Sequence, residues 1–85
     1  MTIYLVDEPF IDIAVSYAKD KSARIVLIQD AVYASATVHA PGEVCVIKDD
    51  VARRGLQSRI PPGISVIDYD ELVRMMETEK VVNFL

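Results

Sequence analysis

Residues 24–48, RIVLIQDAVYASATVHAPGEVCVIK, decide the architecture of this chain. Two apolar runs bracket the stretch, Arg24–Gln29 and Glu43–Lys48. Both are rich in β-branched residues and continuous rather than alternating, as expected of strands covered on both faces. Between them, Asp30 to about Val38 reads as a helix, and Ala40-Pro41-Gly42 as the turn into the next strand. A strand–helix–strand unit makes its two strands parallel neighbours. Similar runs stand at Ile3–Val6 and Ile64–Ile67, with helical segments between. The fold class is therefore α/β, with a mainly parallel four- to five-stranded sheet flanked by helices. The tail Val81–Leu85 is apolar and reads as either a short edge strand or a packed terminus.

The helical segments have distinct signatures. The first should start near Pro9, since proline suits the first helical position, where its missing N–H costs nothing. At 100° per residue, Phe10, Ile11, Ile13, Ala14, Val15, Tyr17 and Ala18 fill an arc of about 200°, while docking onto a sheet needs only about 100°. The second has no charged residue between Asp30 and Glu43, and a helix apolar nearly all round is normally buried. In so small a chain that burial implies a partner, which makes Tyr33, Val32 and Ala36 candidate partner-binding residues. Asp49–Arg54 reads as a short helix ended by Gly55 in the left-handed conformation. The last begins with Asp68 as cap and Glu71 three residues on, the spacing of a capping box. Its apolar line is Tyr69, Leu72, Val73 and Met76.

Eighty-five residues make one domain, expected to span 1–85. A chain of this length buries only roughly 60–65% of its unfolded surface. Yet 52% of the residues are hydrophobic and the mean hydropathy is +0.26. Oligomerisation is the simplest cover for the surplus apolar surface. A net charge of −4 and a pI near 4.7 argue against broad electrostatic binding to nucleic acid or an anionic membrane. No stretch approaches the roughly 18 apolar residues that span a bilayer, and no export signal is expected. The single cysteine fits a reducing compartment, so a cytoplasmic location is expected.

Cys45 is the one strong nucleophile by residue type. A reactive thiol needs a nearby cation or helix N-terminus and access to solvent, whereas Cys45 sits mid-strand among Val44, Val46 and Ile47. An inert core cysteine is the favoured reading, with a persulfide carrier as the alternative. Carboxylates gather at the C-terminal end of each expected strand: Asp7 and Glu8, Asp30, Asp49 and Asp50, Asp68 and Asp70. Ligands of open parallel sheets bind at that edge; three carboxylates converging there could hold magnesium, and Lys48 nearby would suit a phospho-acceptor pocket. Each acid also precedes a helix, where a carboxylate caps N–H groups, and capping is the better account. Arg53, Arg54 and Arg59 form a local basic span suited to an acidic partner or to RNA phosphate, or to nothing specific. His39 stands alone in a loop. No glycine-rich loop follows a strand, and no catalytic residue, metal or cofactor is expected.

The stretch IVLIQDAVYA, Ile25–Ala34, resembles the DsrH/TusB family, whose second strand runs into a (Q/E)D-(A/G)-V-(Y) helix start. The resemblance continues at VCVIKDDVARRGL, Val44–Leu56, and at ISVIDYDELVRMM, Ile64–Met76. It implies a DsrE/F/H-like fold. It also implies assembly with DsrE/TusD-like and DsrF/TusC-like subunits that pass sulfur as a cysteine persulfide. Such relays serve 2-thiolation of the tRNA wobble uridine or dissimilatory sulfur oxidation. The relay cysteine belongs chiefly to a partner subunit. Some DsrH-type members carry a further cysteine in the first helix, where this chain has Ala14, Val15, Ser16, Tyr17 and Ala18. Cys45 stands where the family usually has alanine or a similar residue, so it does not inherit the role. The resemblance thus implies a non-catalytic subunit. A sulfurtransferase using Cys45 and a free-standing homo-oligomer of the same fold are the alternatives.

Overall fold

A strand in the middle of a helix-flanked sheet must be apolar on both sides, with successive residues facing opposite ways. Strands β1 (Thr2–Val6), β2 (Ala23–Leu27) and β3 (Glu43–Ile47) meet this requirement. The computed structural model describes residues 2–85. It joins these strands with β4 (Ser65–Ile67) and β5 (Lys80–Phe84) in one sheet of order β4-β3-β2-β1-β5. Every pairing is parallel. The apolar tail is therefore an edge strand, in register with β1 from Thr2↔Lys80 to Val6↔Phe84.

One face of the sheet carries Val6, Ile25, Leu27, Val44 and Val46. It is covered by α1 (Ile11–Tyr17), a 3-10 helix (Gln29–Ala36) and α2 (Lys48–Arg53). The other face carries Ile3, Leu5, Val26, Cys45, Ile47 and Ile67, and packs against Leu72 and Met75 of α3 (Tyr69–Thr78). The division follows from the handedness of parallel crossovers. Three successive steps in one direction, β1 to β4, place their connections on one face. The return step from β4 to β5 reverses direction and puts α3 on the other.

Helix ends follow the local sequence. The Asp68 carboxylate accepts the Glu71 N–H at 2.8 Å, capping α3. At the end of α2 the Leu56 N–H donates to the Val51 carbonyl at 3.1 Å and the Gly55 N–H to that of Ala52 at 3.2 Å. Gly55 adopts φ +65°, the left-handed residue of a Schellman motif, and Val51 and Leu56 close it through the core.

Four expectations are corrected. Helix α1 begins at Ile11 rather than Pro9, because Glu8 and Pro9 form a turn closed by the Phe10 N–H on the Asp7 carbonyl at 3.0 Å. The second helix is 3-10 and runs from Gln29 to Ala36. That helix is also not left for a partner to bury whole: Ala31, Val32 and Ser35 pack into the chain's own interior. On α3 the inward line is Leu72 with Met75, while Tyr69, Val73 and Met76 are exposed. The sheet meets one side of the helix, and an apolar side chain only 100° away is left facing water. The wide apolar arc of α1 behaves similarly: Ala14 and Ala18 are buried, while Ile13 and Tyr17 are exposed.

Candidate functional site

Position decides whether the thiol can act. In β3, Cys45 alternates onto the face under α3, paired with Val26 of β2 and Ser65 of β4, and is fully buried. Its Sγ–H donates to Glu43 Oε1 at 2.9 Å. The Glu43 carboxylate stands 3.2 Å from Arg24 Nε, and Arg24 Nη1 donates to Glu79 Oε2 at 2.9 Å. Burial first, then the hydrogen bond to Glu43 and the charge of that carboxylate, push the Cys45 thiol up to about 12. Persulfide chemistry needs an accessible thiolate, and this group is neither accessible nor ionised at physiological pH.

The polar residues gather instead at the carboxyl edge of the sheet. The 3-10 helix, α2 and α3 all begin there, and residues of all three, with Arg54 at the end of α2, bound a cleft of about 520 Å³. It is lined by Gln29, Asp30, Tyr33, Asp50, Arg53, Arg54 and Tyr69. Asp50 is its floor, at 1% exposure. A carboxylate so buried needs hydrogen-bond donors on every side. The Gln29 N–H supplies one at 2.8 Å and the Tyr69 hydroxyl another at 3.3 Å. Arg54 Nη1 lies 3.9 Å from Asp50 Oδ1 and donates to the Asp50 backbone carbonyl at 3.1 Å. The same guanidinium reaches Asp30 Oδ1 through Nε at 3.0 Å and Nη2 at 2.9 Å. Arg54 is thus consumed within the chain, bridging the two acids.

Gln29 is the strained element of this edge. Its φ of +50° costs a residue with a Cβ roughly 1–2 kcal/mol. The bond from its N–H to buried Asp50 holds the turn in which β2 becomes the 3-10 helix. Burial, with the nearby Asp50 carboxylate and its hydrogen bond, raises the Tyr69 hydroxyl above the usual range. It therefore stays protonated and available as a donor.

The acids at the strand ends have separate duties. Asp68 caps its own helix, Asp7 accepts the adjacent Glu8 N–H at 2.7 Å, and Asp50 serves the neighbouring 3-10 helix rather than α2. Capping by each acid of the helix it precedes is therefore corrected to one full instance, Asp68. Among the described residues, no three His, Cys, Asp or Glu side chains group as a metal site would require. Lys48, Asp49, Asp70, Arg59 and His39 are exposed outside the cleft lining. Of the three candidate contact residues, Tyr33 and Ala36 are on the surface. Val32 is fully buried in the chain's own core, which corrects its expected contact role. Gln29, Asp50 and Tyr69 were not singled out as one site from the sequence. The signal for part of it was there: Asp50 and Arg54 are four apart on a helix, a spacing at which an acid and a base meet.

This geometry defines a parallel α/β domain whose sole thiol is sealed in its core and whose polar cleft opens at the carboxyl edge of the sheet. The chain belongs to the DsrH-like family, whose model, described as "DsrH like protein", matches residues 9–82. The match bears out the resemblance read from the sequence, and with it a family tied to sulfur relay. Two solved structures share the fold. One is the crystal structure of the ychN protein from E. coli, 19% identical over 98% of this chain and 97% of that one, with a TM-score of 0.71. The other is the solution NMR structure of protein Tm0979 from Thermotoga maritima, 27% identical over 93% and 94% of the two chains, also with a TM-score of 0.71. A comparison with curated protein sequences finds no match. Among the described residues no helix is long and apolar enough to cross a membrane.

Proposed function

We propose that this chain is a non-catalytic subunit of a cytoplasmic persulfide-relay complex, assembled with DsrE/TusD-like and DsrF/TusC-like subunits. The relay cysteine belongs to a partner, and this chain supplies binding surface. The observation that carries the reading is the state of Cys45, buried and hydrogen-bonded to Glu43 in a chain of the DsrH-like family. The acceptor downstream, tRNA wobble uridine or a sulfur-oxidation enzyme, sets which pathway the relay serves.

Cys45→Ala is the direct test. It is expected to cost about 1–2 kcal/mol of stability, because a small buried group is removed. It should leave transfer of labelled sulfane sulfur through the assembled complex unchanged. A mutant that folds and assembles yet loses transfer would make Cys45 a carrier and overturn the reading. Co-purification of the two homologous subunits with the wild-type chain tests the assembly itself. A chain that purifies only with copies of itself supports a free-standing homo-oligomer instead.

The contact surface includes Tyr33, 59% exposed on a helix whose one charged residue is Asp30. A tyrosine buries its ring while its hydroxyl keeps a partner, which suits the centre of an interface. Tyr33→Ala is expected to weaken subunit association about thirty-fold, the scale of a hot-spot truncation of 2 kcal/mol. Tyr33→Asp should weaken it further, because it removes the ring and obliges the contact to desolvate a carboxylate. Titration calorimetry of the folded variants checks this. Wild-type affinity in Tyr33→Asp would move the contact to another face.

A further inference from the structure

Two features of the surface extend beyond the contact at Tyr33, and they are contiguous. The first is a free cation. Arg53 opens into the cleft at the carboxyl edge and has no ion pair or side-chain hydrogen bond among the described residues. Asp49, one turn back on α2, forms no ion pair with it, and the two acids of the cleft are occupied elsewhere. Asp30 accepts both bonds from Arg54, and Asp50 is engaged by the Gln29 N–H and the Tyr69 hydroxyl. In a chain of net charge −4, this leaves an unpaired guanidinium framed by two exposed tyrosine rings, Tyr33 and Tyr69.

The second feature is the outward side of α3. Tyr69, Val73 and Met76 stand at i, i+4 and i+7, which places them along one face of the helix. All three are exposed, Val73 at 54%. The two are continuous, since Tyr69 belongs to both surfaces. A cation-bearing cleft therefore runs directly into an apolar stripe about two helical turns long. Tyrosine and arginine around a concave centre, with apolar side chains beside them, is the composition of an interface hot spot. A partner that answers this surface with one carboxylate followed by apolar residues four and seven positions on presents them along one face of an amphipathic helix.

We propose that this cleft and the α3 stripe dock an amphipathic helix of a partner protein. Its carboxylate pairs with Arg53, and its apolar side chains cover Tyr69, Val73 and Met76. The identity of that partner as a relay subunit rests on the function proposed above; the chemistry of the docking site does not. Arg54 and Asp50 have a positioning role, holding the Gln29 turn and the Tyr69 hydroxyl so that the cleft keeps its shape.

The test uses the full chain, isotopically labelled for NMR, and a synthetic helical peptide with Glu at one position and Leu four and seven residues on. Binding is expected to shift the amide signals of Gln29, Tyr33, Arg53, Tyr69 and Val73. Arg53→Glu should weaken binding at least about thirty-fold, on the scale of a lost charged anchor. The same peptide with Glu→Lys should restore binding to that variant. Arg59→Glu, at an exposed arginine outside the cleft, should change affinity by less than about threefold. If the named signals do not move, or if Arg53→Glu and Arg59→Glu weaken binding alike, the proposal fails. A second arm replaces the peptide with purified DsrE- and DsrF-type subunits. Subunits that bind wild type and Arg53→Glu equally overturn the docking site while the subunit reading stands. Subunits that do not bind wild type, while the peptide shows the charge-swap pattern, overturn the subunit reading and leave the docking site.

Discussion

Asp50→Ala is expected to remove about 2–4 kcal/mol of folding stability, read as a lower urea midpoint at unchanged slope. The size follows from what the carboxylate does at 1% exposure. Its loss leaves the Gln29 N–H without its acceptor in a partly buried turn. It also removes the partner of the Tyr69 hydroxyl and one of the two acids that Arg54 bridges. The turn it held contains Gln29 at φ +50°, a conformation that persists only while its surroundings enforce it. A domain of this length is stable by about 4–13 kcal/mol in all, so the loss is a substantial fraction. Asp50→Asn keeps an oxygen acceptor in place and should lose roughly half as much. An Asp50→Ala midpoint equal to that of wild type would mean that water replaces the carboxylate, and that the turn needs no anchor.

Gly42→Ala is expected to be comparably damaging, by about 3 kcal/mol, although the change adds one methyl group. Gly42 stands at the entry to β3, where the chain passes close beside the start of β2. A Cβ there would overlap the carbonyl oxygen of Ala23 and would stand 3.0 Å from the Lys21 carbonyl oxygen. Both obstacles are backbone, so no side chain can turn aside. Relief requires β3 to move away from β2, against the register Arg24↔Glu43 that begins the pairing. Gly55→Ala makes the contrast. That position has open space around it but φ +65°, so the cost is conformational only, about 1 kcal/mol. Thermal or urea unfolding of the pair checks the ranking. Equal stability in the two variants would show that the β2–β3 entry relaxes more easily than its packing suggests.

The sheet was legible because its cause is local. Runs such as Ile25–Ile28 and Val44–Ile47 have no polar side to turn to water, so they must lie between two layers, and helical segments between them force the parallel arrangement. Gly55 and the Asp68–Glu71 pair likewise mark helix ends by short-range chemistry. The burial of Cys45 was readable for the same reason, since Val44, Val46 and Ile47 surround it in sequence. What the sequence left undecided depends on which side of an element meets the sheet. Tyr69, Leu72, Val73 and Met76 look like one apolar line, yet only Leu72 of these is buried, because the contact direction of α3 is set by a crossover that returns to β5 on the far side of β1. Val32 and Tyr33 are adjacent in an uncharged helix, yet one is core and the other surface. The cleft shows the same division. Asp50 and Arg54 are four residues apart and foreseeable as a pair, whereas their meeting with Gln29, Asp30, Tyr33 and Tyr69 joins three connections that follow different strands. Composition and periodicity determined the elements and the fate of the thiol. Only tertiary structure decided which side chains those elements turned toward one another, because that is fixed by the order and handedness of the crossovers rather than by any neighbour in the chain.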